Sequence, residues 1–379
     1  MILQFNNYLN KKPLYFDKID YNRVHLAYSI LEPHIKHPRT VHIVGTNGKG
    51  STGRIIAHLA KYNIRVGHFS SPHIKKFNER IWIDGHDIND NDLNLAHKKL
   101  YFILGEKISN SLSYFEYTTL LALVAFENLD LIVLEAGLGG EFDATSVCDK
   151  FLTLITPIGI DHQPFLGDTI EEIASTKIRS IQKRVLLAKQ THSEVNQIAK
   201  NIAKDKKADI YFIPNNNIVY KKLKDVLKDK EWSDYLIDNA LVAIEALNIL
   251  DVNYNINDLI DLELFGRFYK FRDNIIIDVG HNPLASKAIY NALDKKVVLI
   301  YNSLDDKDYK TVLEILKPKI KRVEIIEIPS QRAVTIKKIE ESLDSLDIPY
   351  SSFNGTIKNS EEYLVFGSFY VIQEFLKLY

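Results

Sequence analysis

The sequence predicts an α/β fold with two domains, a larger one over residues 1–273 and a smaller one over residues 274–379. Short apolar runs alternate with amphipathic segments of helical period, which is typical of a largely parallel sheet covered on both faces. A glycine-rich loop joins the first clear apolar run to the first long helix. The alternation starts again at Ile275–Asp278, and at about 150 residues per domain the chain is long enough for two domains.

The composition is that of an ordinary globular protein, with 46% apolar and 26% charged residues. Lys and Arg number 48 against 49 Asp and Glu, so charge gives no support for bulk binding to nucleic acid. A single cysteine, Cys148, excludes an intrachain disulfide. The longest apolar run, Leu120–Phe126, is far shorter than the roughly 20 residues of a membrane span. The N-terminus lacks the pattern of a signal peptide. We therefore expect a cytoplasmic monomer whose partners include neither nucleic acid nor membrane.

In the larger domain, residues 1–40 are rich in aromatic side chains and predicted to be helical. The first strand, the glycine loop and the first long helix occupy 41–62. Further strands are predicted at 65–69, 81–85, 131–134, 151–156, 185–188 and 210–213, and helices at 89–108, 117–128, 169–184 and 233–250. The charged stretch 200–230 is predicted to be a surface region.

The smaller domain is predicted to be Rossmann-like. Its apolar runs predict strands at 275–278, 297–301, 323–328 and 363–366. Helices are predicted between and after these strands, near 284–293, 307–317, 335–345 and 368–379.

The glycine loop, residues 45–52, has the chemistry of a phosphate site. Glycines let backbone N–H groups approach an anion, and the N-terminus of the next helix adds partial positive charge. Lys49 would reach the outer phosphates, and the hydroxyl of Ser51 or Thr52 would bind Mg²⁺. The spacing is not the standard one, because Gly50 separates the lysine from the serine. The larger domain is thus predicted to be a P-loop-type ATPase domain; the alternative is a simple glycine-rich turn.

Two further strand ends carry groups suited to a metal. Glu135 ends a buried strand, and ligands gather at the carboxyl ends of parallel strands, so its carboxylate is placed to hold Mg²⁺. The alternative is that Glu135 caps a neighbouring helix. His162 follows another strand and is a candidate metal ligand, although a lone histidine usually is not one.

The helix after His162 places a lysine on its apolar face. Asp168 is predicted to cap this helix, together with Glu171. Lys177 lies four residues from both Ile173 and Ile181, so its side chain points inward, and lysine is rarely buried without a partner. The functional interpretation is a lysine facing the phosphate site. The alternative is a side chain that reaches water at the edge of the face.

The smaller domain also carries polar residues at the end of a strand, followed by a turn and a helix. Asp278 ends its first strand and precedes a Gly-His-Asn-Pro turn, so Asp278 could bind ribose hydroxyls and His281 the base or a phosphate. Arg267, near the domain junction, could bring a cation to the γ-phosphate.

The order and spacing of many short motifs resemble those of the folylpolyglutamate synthase/dihydrofolate synthase family of the Mur ligase superfamily. The matching segments run nearly from end to end: 45–51, 71–73, 77–81, 115–116, Glu135 with 137–140, 143–145, 161–162, 166–169, 173–174, Lys177, 239–240, 266–267, Asp278, 281–283, 306–308 and 367–368. The resemblance implies a Mur-ligase-like central ATP-binding domain over 1–273 and a glutamate ligase domain over 274–379.

The resemblance also implies roles for individual residues. Catalytic residues would be Lys49, His162, Lys177 and Arg267. The nucleotide would be bound by Thr46, Asn47, Gly48, Lys49, Gly50, Ser51, Thr52, Asn239, Arg267, Asp278 and His281. Ser51 and Glu135 would bind a first Mg²⁺ and His162 a second, with Lys177 carbamylated in support. The pterin-bearing substrate would lie near Ser71, Pro72, His73, Phe115 and Glu116.

Some positions depart from the family pattern. Glu141 stands where arginine is usual, and Ser146 where asparagine is usual. Residues 175–179 replace the usual Glu-Lys-Ala-Gly, and Val279-Gly280 replaces Gly-Ala. No catalytic group is lost, but the Glu141 change reverses a charge near the site.

The predicted reaction is ATP-dependent ligation of L-glutamate to dihydropteroate or a reduced folate through an acyl phosphate. Two alternatives stay open at this point. Another Mur-type amide ligase would carry a domain of roughly a hundred residues before the loop, as the resemblance implies, and here the loop begins at Gly45. A nucleotide-binding regulatory protein would bind ATP without ligation.

Overall fold

The computed structural model of the chain describes residues 3–13, 20–214 and 217–379. The prediction of helix over 1–40 therefore includes residues 1–2 and 14–19 that lie outside the described part. The described residues form two sheets with helices on their faces, and the predicted α/β class is confirmed.

The larger unit is built on an eight-stranded sheet with the order β4-β3-β2-β5-β1-β6-β7-β8. Its strands are β1 Arg39–Val44, β2 Val66–Phe69, β3 Ile81–Ile83, β4 His86–Asp87, β5 Leu131–Glu135, β6 Leu152–Ile155, β7 Arg184–Leu187 and β8 Asp209–Phe212. All neighbours pair in parallel except β2–β3 and β3–β4. The carboxyl ends of the central strands β1, β5 and β6 therefore meet at one edge.

The helices of this unit are α1 Phe5–Leu9, α2 Tyr21–Leu31, α3 Lys49–Ala60, α4 Asp90–Ser111, α5 Tyr114–Ala125, α6 Gln163–Leu166, α7 Ile170–Ile178, α8 Ser193–Asp205, α9 Asn217–Val226 and α10 Asp234–Ile249. Gly105 interrupts α4 with a kink. Among the described residues, no helix is both long and apolar enough to cross a membrane.

The smaller unit is built on a six-stranded sheet with the order β13-β12-β11-β14-β10-β9. Its strands are β9 Tyr269–Arg272, β10 Ile275–Asp278, β11 Val297–Tyr301, β12 Ile320–Ile325, β13 Tyr350–Ser352 and β14 Tyr363–Phe366, and its helices are α11 Pro283–Ala292, α12 Tyr309–Leu316, α13 Ile336–Ser345 and α14 Phe369–Leu376. The antiparallel strand β9 lies before the predicted boundary at 274.

The core lies on both faces of the larger sheet, as the continuous apolar strands predict. Along β5, Leu131 and Val133 face one side, where they pack with α3 and α10. Ile132 and Leu134 face the opposite side, where they pack with α4 and α5. This alternation fixes the register of the strand, so Glu135 at its end lies beside the start of α3.

Two expectations about local structure were wrong. The helix predicted over 169–184 ends at Ile178, and β7 begins at Arg184. The cap of that helix is Thr169 with Glu172, not Asp168 with Glu171, because the Thr169 hydroxyl accepts from Glu172 N–H at 3.2 Å. The charged stretch 200–230 contains the end of α8 and all of α9, and the described residues of this stretch are mostly exposed, although Leu223 is fully buried.

Candidate active site

The glycine loop joins β1 to α3 and is hydrogen-bonded to the segment after β6. The N–H groups of Thr46 and Asn47 both donate to the Pro157 carbonyl oxygen, at 2.9 and 3.2 Å. Gly48 caps α3 with φ of 85°, a left-handed conformation that favours glycine. The loop is thus fixed in place before any ligand arrives, with the first N–H groups of α3 at the carboxyl edge of the sheet.

Gly50, the residue that makes the loop irregular, lies where two charged side chains meet. A Cβ atom on Gly50 would lie 3.3 Å from Glu135 Oε2 and 3.6 Å from Arg267 Nη2. Glu135 comes from the end of β5 and Arg267 from the segment that leads into the smaller sheet. Glycine at this position therefore lets a carboxylate and a guanidinium approach the start of α3 together.

The predicted metal ligands Ser51 and Glu135 lie on this same edge. Glu135 is buried and accepts from Ser71 N–H at 3.1 Å, and burial raises the pKa of its carboxyl against the opposing effect of Lys49. Within the described ranges, no group of three or more His, Cys, Asp or Glu side chains is arranged to hold a metal by itself. Two oxygen ligands nevertheless suit Mg²⁺, which is usually bound by one or two protein groups plus phosphate and water.

Thr52 does not share this placement. Its side chain is fully buried, and its hydroxyl has no hydrogen-bond partner among the described residues. Between the two hydroxyl candidates, Ser51 is the one that lines the cavity beside Glu135.

Two lysines converge on one carbonyl oxygen of the loop. Lys49 Nζ donates to the Gly45 carbonyl oxygen at 3.2 Å, and Lys177 Nζ donates to the same oxygen at 3.1 Å. Lys177 is 3% exposed, as its place on the apolar face of α7 predicts. Burial and, after it, the nearby charge of Lys49 together lower the pKa of Lys177 to about 7. An amine with such a pKa is substantially neutral near pH 7, which is the form that reacts with electrophiles.

Asp161, next to His162, is one of the points where the smaller unit contacts the larger one. Asp161 Oδ1 accepts from Lys307 Nζ at 2.6 Å, and Asp161 Oδ2 accepts from Asn282 Nδ2 at 3.1 Å. His281 Nε2 lies 3.7 Å from the same carboxylate. Burial alone would raise the pKa of Asp161, but the positive and donor groups around it, His281 first, hold that pKa well below its usual range.

His162 has an unusual backbone conformation for a non-glycine residue, with φ of 57° where α6 begins. Its Nε2 lies 3.4 Å from Lys307 Nζ. Burial lowers the pKa of His162 to about 4, although Asp161 acts in the opposite direction. The imidazole is therefore neutral near pH 7, which is the form that binds a metal.

The predicted nucleotide contacts lie on both units. Asn239, on α10, is buried beside the loop, and a Cβ atom on Gly48 would lie 2.7 Å from the Asn239 Oδ1. The Asn239 Nδ2 has no hydrogen-bond partner among the described residues. Asp278 is already well engaged, accepting from Phe268 N–H at 2.8 Å, Gly280 N–H at 2.7 Å and Tyr235 OH at 2.9 Å. The chain thus holds Asp278 as the centre of the junction between the units.

The predicted substrate residues are brought together only in part. Ser71 reaches the site through its bond to Glu135, and a cis peptide bond joins it to Pro72. His73 Nδ1 accepts from Arg80 Nε at 2.8 Å. Phe115 packs on the loop after β5, since a Cβ on Gly137 would lie 2.6 Å from its ring.

Glu116, next to Phe115, is occupied by structural contacts. It accepts from Arg23 at 3.0 Å and from Ser113 N–H at 2.7 Å, where it caps α5. Its carboxylate therefore anchors α2 to α5.

Glu141, which stands where the family usually has arginine, forms an ion pair with Arg179. Arg179, just after α7, donates to the Glu141 carboxylate, and Glu141 N–H donates to the Thr176 carbonyl oxygen at 3.1 Å. The positive charge thus lies at the end of the helix that carries Lys177, instead of on the loop after β5. Sequence reasoning flagged Glu141 but not this partner.

Comparison with known proteins found no matching family model, but it found close relatives. The chain is 30% identical to the dihydrofolate synthase/folylpolyglutamate synthase of Haemophilus influenzae, over 89% of this chain and 88% of that protein. It is 28% identical to the Escherichia coli protein of the same name, over 89% and 85% of the two chains.

Solved structures agree with these relatives. Helicobacter pylori folylpolyglutamate synthetase matches with a TM-score of 0.79 and 36% identity, over 99% of this chain and 97% of the other. E. coli FolC in complex with DHPP and ADP matches with a TM-score of 0.81 and 25% identity, over 98% and 96% of the chains.

Proposed function

We infer the activity from one premise: the chain belongs to the dihydrofolate synthase/folylpolyglutamate synthase family. It is an ATP-dependent ligase of folate metabolism that joins L-glutamate to a folate-type carboxylate through an amide bond. The structural observation that supports this activity is that four charged side chains meet around the glycine loop and the start of α3: Lys49, Glu135, Lys177 and Arg267.

We propose that the loop and Lys49 bind the ATP phosphates, with Ser51 and Glu135 holding a divalent metal. The metal would neutralise charge on the transferring phosphoryl group. Lys49 has only to exchange two loop carbonyl oxygens for phosphate oxygens, so its side chain needs little rearrangement. Arg267, beside Gly50, is placed to bring a second positive charge to the γ-phosphate.

We further propose that the reaction proceeds in two displacements. A carboxylate oxygen of the acceptor attacks the γ-phosphorus, the bond to the bridging oxygen breaks, and ADP leaves. The amine of L-glutamate then attacks the carbonyl carbon of the acyl phosphate, losing a proton as phosphate departs. The protein contributes mainly position and charge, because reactants held in the correct geometry react without a separate encounter.

Lys177 is proposed to be carbamylated. Its neutral amine would add to CO₂, forming an N–C bond and releasing one proton to solvent. The product is an anion that no longer places a buried positive charge beside Lys49, and it could support a second metal at His162. Burial and the lowered pKa of the lysine support this step. ¹³C NMR of the enzyme in ¹³C-bicarbonate should show a carbamate signal that Lys177→Met lacks; the same spectrum for both proteins would refute it.

Asn239, on the larger unit, is proposed to contact the nucleotide, and the second unit is proposed to close the nucleotide site through Asp278 and His281. Because one chain supplies groups from both units, we propose a monomer whose partners are small molecules and which works in the cytoplasm. The phosphate-release experiment described next also tests whether the enzyme prefers dihydropteroate or a reduced folate as its acceptor.

The test is phosphate release from ATP with L-glutamate, offering dihydropteroate and tetrahydrofolate in separate reactions. A ligase should release phosphate only when acceptor and glutamate are both present. Lys49→Met should abolish this release while the protein stays folded. ATP binding without glutamate-dependent release from either acceptor would refute ligation and favour a regulatory nucleotide-binding protein.

A further inference from the structure

A cavity of about 590 Å³ extends from the reacting centre along one side of α3. Gly50, Ser51 and Glu135 lie at its inner end, and Trp82 and Asp87 line the opposite wall. Pro72, one of the residues predicted to lie near the pterin-bearing substrate, also lines the cavity, whereas Phe115 does not. Arg54, His58, Lys61 and His68 line it as well, and the sequence predicted no role for them.

One face of α3 supplies positively charged and hydrogen-bonding groups to the cavity. Gly50, Arg54, His58 and Lys61 follow at intervals of four, four and three residues, so they lie on the same side of the helix. At 1.5 Å per residue, the row runs about 16 Å away from the phosphate loop. A ligand along this face would meet Arg54 first.

Arg54 is partly buried, and its guanidinium lies over the ring of Trp82, 4.8 Å from the ring centroid. Within the described ranges it makes no hydrogen bond and no ion pair within 4 Å. The acids that act on its charge are Asp87 first, then Glu79 and Glu135. Glu79 accepts from the N–H groups of residues 74–76, and Glu135 accepts from Ser71 N–H. Five N–H donors in a planar fork are thus available to an incoming anion.

His68 gives a second, independent indication of a ligand. It is 1% exposed and lines the same cavity, yet neither ring nitrogen has a hydrogen-bond partner among the described residues. The ring fits against α3 only because residue 53 is glycine, where a Cβ would lie 2.4 Å from His68 Nε2. Buried polar groups are normally satisfied, so an unpartnered histidine that lines a cavity indicates a missing polar partner.

We propose that this cavity binds a carboxylate of a glutamyl group, with Arg54 and His68 as its main contacts. The guanidinium fork matches a carboxylate, and the Trp82 ring keeps the fork planar and in place. The lining carries four basic residues and five acids, which disfavours a doubly charged phosphate more than a singly charged carboxylate; they are Arg54, Lys61, Lys75 and Arg267 with Glu79, Asp87, Glu135, Asp261 and Glu263. The proposal rests on the ligase function above, in which a glutamyl carboxylate must lie near the γ-phosphate.

Two substrates carry that group: the incoming L-glutamate, and the glutamate tail of a folate acceptor. Kinetics of Arg54→Met distinguish them. With dihydropteroate, which carries no glutamate, a rise in KM for L-glutamate would identify the incoming amino acid. With tetrahydrofolate triglutamate at saturating L-glutamate, a rise in KM for this acceptor would identify the tail. Loss of a charge-assisted pair should raise the affected KM by about tenfold to a hundredfold. Unchanged KM values in both reactions would overturn the proposal.

The matched control is Arg184→Met. Arg184 also lies over an aromatic ring, 4.3 Å from the centroid of Phe151, but at the start of β7 and outside the cavity. Both KM values should stay at the parent level in this variant. Arg54→Lys keeps the charge without the fork and should show a smaller rise; if Arg54→Met does not fold, wild-type KM values in Arg54→Lys overturn the proposal.

Fluorescence gives a readout that does not need turnover. The chain has two tryptophans, so Trp232→Phe leaves Trp82 as the only reporter. Titration with L-glutamate and with tri-γ-glutamate should change Trp82 emission to saturation for the true ligand, and Arg54→Met should remove the change. Titrations that are flat with both compounds overturn the site. Saturation without phosphate release from either acceptor would instead refute the ligase function while supporting the site.

Discussion

Removing one partner of the buried ion pair between Lys307 and Asp161 should destabilise the protein strongly, and Lys307→Met tests this. The two groups are 2.6 Å apart, with side chains 4% and 7% exposed, and they join the two units. Removing one partner of a buried pair costs about 3–5 kcal/mol, because the remaining charge stays buried. Asp161 would keep its bonds to Asn282 and to the His162 N–H, so we expect a loss near the lower limit, about 3 kcal/mol.

The matched control is Lys338→Met. Lys338 Nζ lies 2.7 Å from Asp305, nearly the same distance, but these side chains are 51% and 55% exposed. An exposed pair of this kind contributes little to stability, because solvent screens both charges. Urea titrations followed by circular dichroism would compare the free energies of unfolding. A double variant, Asp161→Asn with Lys307→Met, should recover part of the loss because no charge remains buried. Equal losses for Lys307→Met and Lys338→Met would refute the reasoning.

Two further predictions concern the start of α3 and the buried lysine. Gly50→Ala should lower ligation by about tenfold, because the new Cβ would lie 3.3 Å from Glu135 Oε2 and shift this carboxylate slightly, while the 3.6 Å to Arg267 Nη2 is an ordinary contact. The free energy of unfolding should not fall, because Gly→Ala at a helical position stabilises by about 0.4–1 kcal/mol. Wild-type turnover would contradict this prediction. In CO₂-free buffer, the pKa of Lys177 is about 7 in the folded protein and 10.5 in the unfolded chain. Between these pH values the unfolded chain binds one proton more than the folded protein, so the free energy of unfolding should rise with pH. Urea titrations should find this rise in the wild type and not in Lys177→Met.

Sequence patterns were sufficient for those parts of the site that depend on a single strand and its following loop. The phosphate loop, Glu135 and the inward side of Lys177 each follow from local periodicity, because strand ends and helix faces are set by nearby residues. The capping residue was harder to choose, since both Asp168 and Thr169 are good N-caps and only backbone geometry decides between them.

Contacts between the units could not be predicted in the same way. Lys307 and Asp161 are 146 positions apart, and their pairing depends on how the two sheets dock. The partner of Glu141 was missed for a related reason, since Arg179 reaches it only because α7 ends at Ile178. The feature of the sequence that could have indicated a contact between the units was Asp161, an acid beside His162 with no partner close to it in the sequence.

The carbonyl oxygen of Gly45 links ATP binding to the state of Lys177. Both Lys49 and Lys177 donate to this oxygen, so two amines share one acceptor. Burial, and after it the charge of Lys49, lowers the pKa of Lys177 and favours its neutral amine. When the phosphates of ATP bind beside Lys49, their negative charge opposes this effect and favours the protonated form of an unmodified Lys177. A carbamate formed before ATP binds would prevent this reversal, so the order of addition should affect activity: preincubation with bicarbonate before ATP should give the faster initial rate.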